Sequence, residues 1–171
     1  MDVRAQWTGE VFHPSRRPEG LEQGETVVLE VHRPRSMKSH RHQFAEVRAA
    51  WASLPEQFHD QPWAKDFNTL RKRALCATGW CDMQEWDLGS ADAAMMFALM
   101  AKSEGYATHG YCEVGIDAAK GKVRRTTPKS QKRALMGAKN FQRSKSDVLD
   151  WCAALVGSTR EALAEAARTA A

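Results

Sequence analysis

A stretch near the middle of the chain, Ala91–Ala101 (ADAAMMFALMA), is almost entirely apolar and is the longest of its kind in the sequence. It is too short to span a bilayer, which requires about 20 apolar residues in a helix. Ser90 is a suitable N-cap, so we predict a helix over Ala91–Ser103. A helix that is apolar on most of its surface is expected to be buried. Its methionines should therefore fill the core: Met95, Met96 and Met100.

The bulk composition is that of a folded protein. The chain has 171 residues, of which 43% are hydrophobic, enough for one domain with its own core. It begins MDVRAQWTGE, without the apolar core of a signal peptide, so we expect a cytoplasmic protein. Four cysteines are too few for a disulfide framework, and we expect buried, reduced thiols. A zinc site remains an alternative, with these ligands: Cys76, Cys81, His109 and Cys112.

The first half of the core is predicted as a strand followed by two helices. β-branched residues indicate a strand over Glu25–Val31, and Ser39 is the expected N-cap of a helix over His40–Ser53. One apolar stripe runs along that helix: Phe44, Val47, Trp51 and Leu54. Asp60 with Pro62 should open a second helix that ends before Gly79. Its stripe is Trp63, Phe67, Leu70 and Ala74.

That second helix also carries three consecutive cations, Arg71, Lys72 and Arg73. They fan around a helix and therefore cannot all point at one ligand. We expect at least one of them to pack its stem or to pair with Asp66 or Glu85.

Strands and helices then alternate to the C-terminus. We predict a strand over Trp80–Leu88, an end to the third helix at Gly105, and a strand over Tyr106–Ile116. A hairpin turn at Ala119–Lys122 should return the chain through Val123–Thr127. Side chains alternate along that strand, which places two arginines on opposite faces: Arg124 and Arg125.

A helix starting at Ser146 and a terminal helix over Arg160–Ala170 complete the chain. The expected fold class is α+β, a small and mostly antiparallel sheet with helices packed on one side and a helical C-terminus. We divide it into an irregular arm (1–24), a core (25–157) that contains a basic segment (118–146), and the C-terminal helix (158–171).

Basic residues are segregated along the sequence. The net charge is only +4, from 25 Lys and Arg against 21 Asp and Glu. Nevertheless, the stretch His32–His42 contains four cations and three histidines but no carboxylate, and 118–146 contains ten Lys and Arg without one Asp or Glu. Such segregation indicates a surface patch and an anionic partner, most often nucleic acid.

The run RPRSMKSHRHQFAEVRAAW, followed by LPEQF and LRKRALCATGWCD, resembles small phage and prophage proteins related to the NinB/Orf recombination mediators. The positions that match the mediators are Arg35, Ser36, Arg41, Phe44, Ala45 and Trp51. A sister group of uncharacterised phage proteins is matched at His40, Arg41, Phe44, Ala45, Gly79, Trp80, Asp82, Pro128, Ser130 and Trp151. The resemblance to the mediators implies single-stranded DNA binding and a homodimer.

We therefore predict a non-catalytic protein of phage origin that binds nucleic acid, preferably single-stranded DNA, in recombination or replication. The expected contact residues are Arg33, Arg35, Lys38, His40, Arg41, Arg124, Arg125, Lys129, Lys132 and Arg133. No cofactor is expected, since the chain has neither a P-loop nor a G-x-G-x-x-G motif. One alternative is an adaptor or inhibitor that binds a host or phage protein complex through its basic face. A second is a metal-dependent nuclease, although neither the histidines of His32–His42 nor the acidic run Asp82–Asp87 fits a metal motif.

Overall fold

A computed structural model describes residues 5–15, 20, 22, 24–26 and 37–170. The chain divides into two units, Met1–Arg33 and Pro34–Ala171. In the first unit, β1 (Ala5–Trp7) and β2 (Phe12–Pro14) form a short antiparallel hairpin. Most of the strand predicted over Glu25–Val31 lies outside the described residues.

The second unit combines helices with one antiparallel sheet, which confirms the α+β class. Its elements follow in the order α1 (Met37–Ala52), α2 (Phe67–Ala77), β3 (Cys81–Asp87), α3 (Ala91–His109), β4 (Glu113–Asp117), β5 (Lys122–Pro128), α4 (Arg133–Met136), α5 (Ala138–Leu155) and α6 (Arg160–Thr169). Two 3-10 turns, Glu56–Phe58 and Pro62–Ala64, connect α1 to α2. None of the helices within the described ranges combines the length and the apolarity needed to cross a membrane.

The sheet has the order β3-β5-β4, so the basic strand β5 is its centre. The hairpin prediction is confirmed, because β4 and β5 pair in antiparallel fashion around a left-handed Gly121. Val123 points from β5 towards α3 and packs against Ala94 and Ala98. Since side chains alternate along β5, two neighbouring arginines face opposite ways, also as predicted: Arg124 and Arg125.

A second hydrophobic cluster is built by α1, α2, α5 and α6. Its largest fully buried members are Val47 on α1, Leu70 and Leu75 on α2, and Val148 and Leu149 on α5. The helix α2 is central to the unit, since it contacts α1, α5 and also the sheet strand β5. The helix α2 therefore has one side close to the end of the sheet.

Helix α3 does not end where the sequence predicted. Gly105 lies inside the helix. Glycine is needed at this position because the helix lies close to the following segment, and a Cβ would be 2.6 Å from Sγ of Cys112. The helix instead ends at Gly110, which has a left-handed φ of +65°. The predicted strand Tyr106–Ile116 is consequently shortened to β4, which begins at Glu113.

The methionines of α3 are not core residues, and that prediction was wrong. This helix buries small residues against the sheet, including Ala94, Ala98 and Ala101. The larger side chains face outwards, with Met96 and Leu99 each 72% exposed. Met95 and Met100 are exposed beside them. Small residues allow α3 to approach the sheet closely, and the cost is an apolar outer face.

Three helix starts also differ from the predictions. α1 begins at Met37, so Ser39 lies inside the helix and is not its N-cap. The carboxylate that caps α2 is that of Asp66, which accepts from the backbone of Asn68 and Thr69. The last long helix, α5, starts at Ala138, eight residues before the predicted Ser146.

The ends of α2 and of the chain agree with the sequence. The N–H of Gly79 donates to the carbonyl of Cys76, and that of Trp80 donates to the carbonyl of Leu75, a Schellman arrangement with glycine at C′. The terminal helix is α6, and Leu163 anchors it in the apolar cluster.

Candidate functional site

Half of the expected contact set has no described side chain. Arg33 and Arg35 lie outside the described residues. For Lys38, His40 and Arg133 the structure describes only the backbone, in α1 and α4. The prediction for these five residues therefore stays a prediction.

Carboxylates from elsewhere in the chain offset much of the charge of the basic segment 118–146. The ion pairs are Lys120 with Asp117 (3.4 Å), Lys122 with Glu85 and Asp87 (3.8 Å each), Arg124 with Glu85 (3.0 Å), Arg125 with Glu104 (2.8 Å) and Lys129 with Asp82 (3.5 Å). Most of these acids lie on β3, directly across from β5. The charge that is segregated along the sequence is therefore mixed on the surface of the sheet.

Arg125 is a structural residue. Its side chain is buried, with only 7% of the residue exposed, and its guanidinium donates to Gln84 Oε1, to the carbonyl of Ala101 and to Glu104. It also lies over the ring of Trp86, 5.3 Å from the centroid. The donors of Arg125 hold α3 on the sheet. The prediction that Arg125 contacts nucleic acid was therefore wrong.

A cavity of about 750 Å³ lies where α2, the ends of β3 and β5, and the segment after β5 meet. Its lining includes four cations, Arg71, Lys72, Lys129 and Lys132. Three rings border them, those of Phe44, Trp80 and His109. The one carboxylate in the lining is Asp82, which pairs with Lys129. The cavity therefore carries a net positive charge.

Arg71 is the most enclosed cation of this cavity. Its terminal nitrogen donates to Oε1 of Gln131 at 2.6 Å, and its guanidinium lies over the ring of Phe44 at 5.2 Å. Its Nε is buried and has no hydrogen-bond partner, and no carboxylate of the described residues pairs with it. Burial lowers the pKa of Arg71, but an arginine stays protonated in a protein. Among the described residues, nothing therefore neutralises the partly buried charge of Arg71.

Gln131 joins the elements that surround this arginine. Its Oε1 also accepts from Gln43 on α1 at 3.4 Å, and its Nε2 donates to Oγ of Ser144 on α5 at 3.0 Å. Because Arg71 is only a donor, the amide oxygen of Gln131 must face it, which fixes the amide orientation. The first helix and the segment after β5, both proposed as basic contact regions, therefore meet at this cavity.

Lys72 lies against Gly110, and its Nζ occupies the space that a Cβ there would need. Gly110 is the C-cap of α3, an end of the helix dipole that favours a cation. Burial lowers the pKa of Lys72, the charge of Arg71 lowers it further, and Asp66 partly opposes both. Lys72 forms no ion pair with another described residue, so its charge adds to that of Arg71.

Arg73 has a different role from Arg71 and Lys72, in agreement with the expectation that three consecutive cations on a helix cannot all point at one ligand. It pairs with Glu113 at 2.5 Å, and not with the predicted Asp66 or Glu85. Burial alone would lower its pKa, but the hydrogen bond and the charge of Glu113 outweigh burial and raise it. The same carboxylate accepts from the hydroxyl of Tyr111 at 3.0 Å.

The cysteines provide no reactive group. All four are free, and burial raises the pKa of Cys76 and Cys152 to about 12, which keeps these thiols protonated. No group of three or more His, Cys, Asp and Glu side chains is arranged to hold a metal in the part of the chain that the structure describes. The zinc alternative therefore has no support from the geometry.

Comparison with protein-family models, with curated proteins and with solved structures found no match to this chain. The resemblance to phage recombination mediators accordingly remains a hypothesis that depends on its motifs. What the site does has to be inferred from its own chemistry.

Sequence reasoning found two of the four cations, Lys129 and Lys132, and missed Arg71 and Lys72. One signal was present in the sequence. The helix α2 has three cations and no acidic residue of its own, so they have no partner at the i+3 or i+4 positions within α2.

Proposed function

We propose that this protein binds nucleic acid without catalysing a reaction, with single-stranded DNA as its preferred ligand. The observation that carries the proposal is the cavity in which Arg71, Lys72 and Lys132 form no ion pair with described residues. Phosphate groups are bound by cations that no carboxylate competes for. Phe44 and Trp80 line the same cavity, and ring faces are what unpaired bases stack on.

Further exposed cations extend from the cavity along two helices. Arg41 lies on α1, three residues before Phe44. Lys139 and Arg143 are exposed on α5, on either side of Asn140, which lines the cavity. These side chains supply a path for the backbone of a strand whose phosphate is held in the cavity. The resemblance to phage mediators supports a setting in recombination or replication, in the cytoplasm of a bacterial host cell.

We also propose a homodimer through the outer face of α3. This face has an apolar centre, formed by Met95, Met96, Leu99 and Met100, and is bordered by Asp92 at one end and by Lys102 at the other. The spacing of these four apolar residues is symmetric along α3. Antiparallel pairing of two copies therefore sets Met95 against Met100 and Met96 against Leu99. That pairing also brings Asp92 of one copy to the Lys102 end of the other, whereas parallel pairing would oppose like charges. A second copy of the chain therefore fits this face, and an isologous contact needs only one such surface.

A salt titration with fluorescent single-stranded DNA tests the binding function. We expect measurable binding at about 50 mM salt and a log–log slope of roughly −0.7 for each phosphate contacted. Arg71→Gln should weaken binding, whereas Arg168→Gln, which removes an exposed charge on α6, should not. No binding at low salt would contradict the proposal and favour the adaptor alternative. Cleavage of the strand with Mg²⁺, Mn²⁺ or Zn²⁺ would favour the nuclease alternative.

A further inference from the structure

We propose, as a deepening of the function above, that the cavity recognises the terminal phosphate of a strand in preference to an internal phosphodiester. Three features of the cavity carry the inference: its charge, the position of Arg71 and its size. The ligand chemistry is that of a phosphomonoester attached to a nucleoside.

The charge of the cavity matches a dianion. Arg71 and Lys72 are adjacent on α2, and no described carboxylate pairs with either. A phosphomonoester carries about −1.5 to −2 charges at pH 7, because its second pKa is near 6. An internal phosphodiester carries one. Two adjacent, partly buried cations without a described counterion therefore gain more from a terminal phosphate than from an internal one.

The position of Arg71 requires the phosphate to enter the cavity. Its guanidinium is held between the ring of Phe44 and the amide of Gln131, and its Nε is fully buried. A terminal phosphate that reaches this group is followed by nucleic-acid strand on one side only. An internal phosphodiester is followed by strand on both sides, so the cavity would have to accommodate both. The fork of the guanidinium suits two oxygens of one phosphate.

The volume of about 750 Å³ lies within the range of pockets for small ligands, roughly 300–1,000 Å³, and fits one nucleotide better than a continuous strand. Trp80 is placed to contact the base or sugar of that nucleotide. Its indole Nε1 donates to Asp147 at 2.8 Å, which fixes the ring as part of the wall.

The state of Lys72 agrees with this assignment. Its pKa is lowered by burial and by its neighbour Arg71. The negative charge of a bound dianion would counteract the effect of Arg71 and raise the pKa of this lysine again. Phosphate binding at alkaline pH should therefore be accompanied by proton uptake.

The experiment compares four forms of one short single-stranded sequence at about 150 mM salt: 5′-phosphorylated, 3′-phosphorylated, unphosphorylated and circular. We expect at least one phosphorylated form to bind about tenfold more tightly than the unphosphorylated and circular forms, a difference of about 1.4 kcal/mol. Arg71→Gln and, independently, Lys72→Gln should remove this difference and leave weak, salt-dependent binding. Arg168→Gln should keep it, and thermal unfolding of every variant shows whether it is folded.

Each outcome separates the two proposals. Equal binding of all four forms overturns end recognition and leaves the proposed function standing. Absence of binding by every strand overturns both. Inorganic phosphate and deoxyadenosine monophosphate serve as competitors, and binding of these small ligands without binding of any strand identifies a small-molecule site and overturns both as well. Loss of the phosphate preference in Arg168→Gln would show that net charge, and not this cavity, causes it.

Discussion

At the scale of single residues, Arg71 and Arg73 illustrate two uses of the same side chain on one helix. Arg73 meets the carboxylate of Glu113, whereas Arg71 meets only neutral groups. A buried charge without a counterion costs free energy unless a ligand supplies one. We therefore expect Arg73 to contribute to stability and Arg71 to contribute to the proposed binding.

Methionine substitutions at both positions test that assignment. Arg73→Met should lower the free energy of unfolding by about 1–3 kcal/mol, because Glu113 is left without its cation. Arg71→Met should cost clearly less, since it removes a charge that is not neutralised and keeps the apolar stem. Urea unfolding of the two variants measures the difference. A larger loss for Arg71→Met would mean that this arginine is structural.

Asp66 at the start of α2 should make stability depend on pH. Burial raises the pKa of this carboxyl, but hydrogen bonds from Thr69 and Asn68 outweigh burial and keep it below its usual value. The stabilisation is therefore present above the unfolded-state pKa of about 3.9 and is lost as pH falls through the lower folded-state value. Asp66→Asn should retain the cap but lose this pH dependence, and Asp66→Ala should cost about 1 kcal/mol at pH 7. Urea unfolding at pH 7 and pH 3 is the measurement. An unchanged pH profile in Asp66→Asn would assign the dependence to other groups.

At the scale of elements, α3 shows why an apolar sequence does not by itself give burial. Its composition predicts a core helix, yet the side that faces the sheet consists of alanines, Gly105 and Phe97, and the methionines face outwards. Which face of α3 is buried depends on the elements that pack against it. The hydropathy of the α3 sequence does not contain that information. The stripes predicted for the first two helices were correct in part. Val47, Leu70 and Ala74 are buried, but Leu54 follows α1, Trp63 lies in the 3-10 turn before α2, and Trp51 is 36% exposed.

Gly105 tests the close approach of α3 to the rest of the unit. Gly105→Ala should destabilise the protein by about 1–3 kcal/mol, although alanine is the better helix former, because the added methyl group would overlap Cys112. Gly115→Ala on β4 is the matched control, since a Cβ there meets nothing within 4 Å. Thermal unfolding of both variants decides the matter, and a stabilised Gly105→Ala protein would show that the helix is free to shift.

The outer face of α3 predicts the oligomeric state. We expect sedimentation velocity at about 100 µM protein to show a dimer, and Met96→Lys with Leu99→Lys to give a monomer, because two charges would be buried at the centre of the contact. Met83→Lys is the control, since Met83 is an exposed methionine on the sheet, away from α3. A wild-type monomer at this concentration would contradict the proposed dimer.

At the scale of the whole molecule, the class of fold could be predicted and the location of the site could be predicted only in part. Strand and helix patterns indicated an antiparallel sheet with helices, and the segment after β5 supplied Lys129 and Lys132 to the cavity. The basic strand itself was misleading, because the acids of β3 that offset it come from a separate part of the sequence. Arg71 could be identified as a candidate site residue only from its surroundings in the structure, because three consecutive cations on a helix are equivalent in the sequence.

The cavity also lies where the helical cluster of the second unit meets the end of the sheet. Leu75 in its wall belongs to the helical cluster, whereas Pro128 ends the central strand of the sheet. A ligand that contacts both walls would oppose their separation, in proportion to its concentration relative to its dissociation constant. Proteases cleave the opened form of a protein, so the proposed binding of nucleic-acid ends would protect this chain from proteolysis as the concentration of those ends rises.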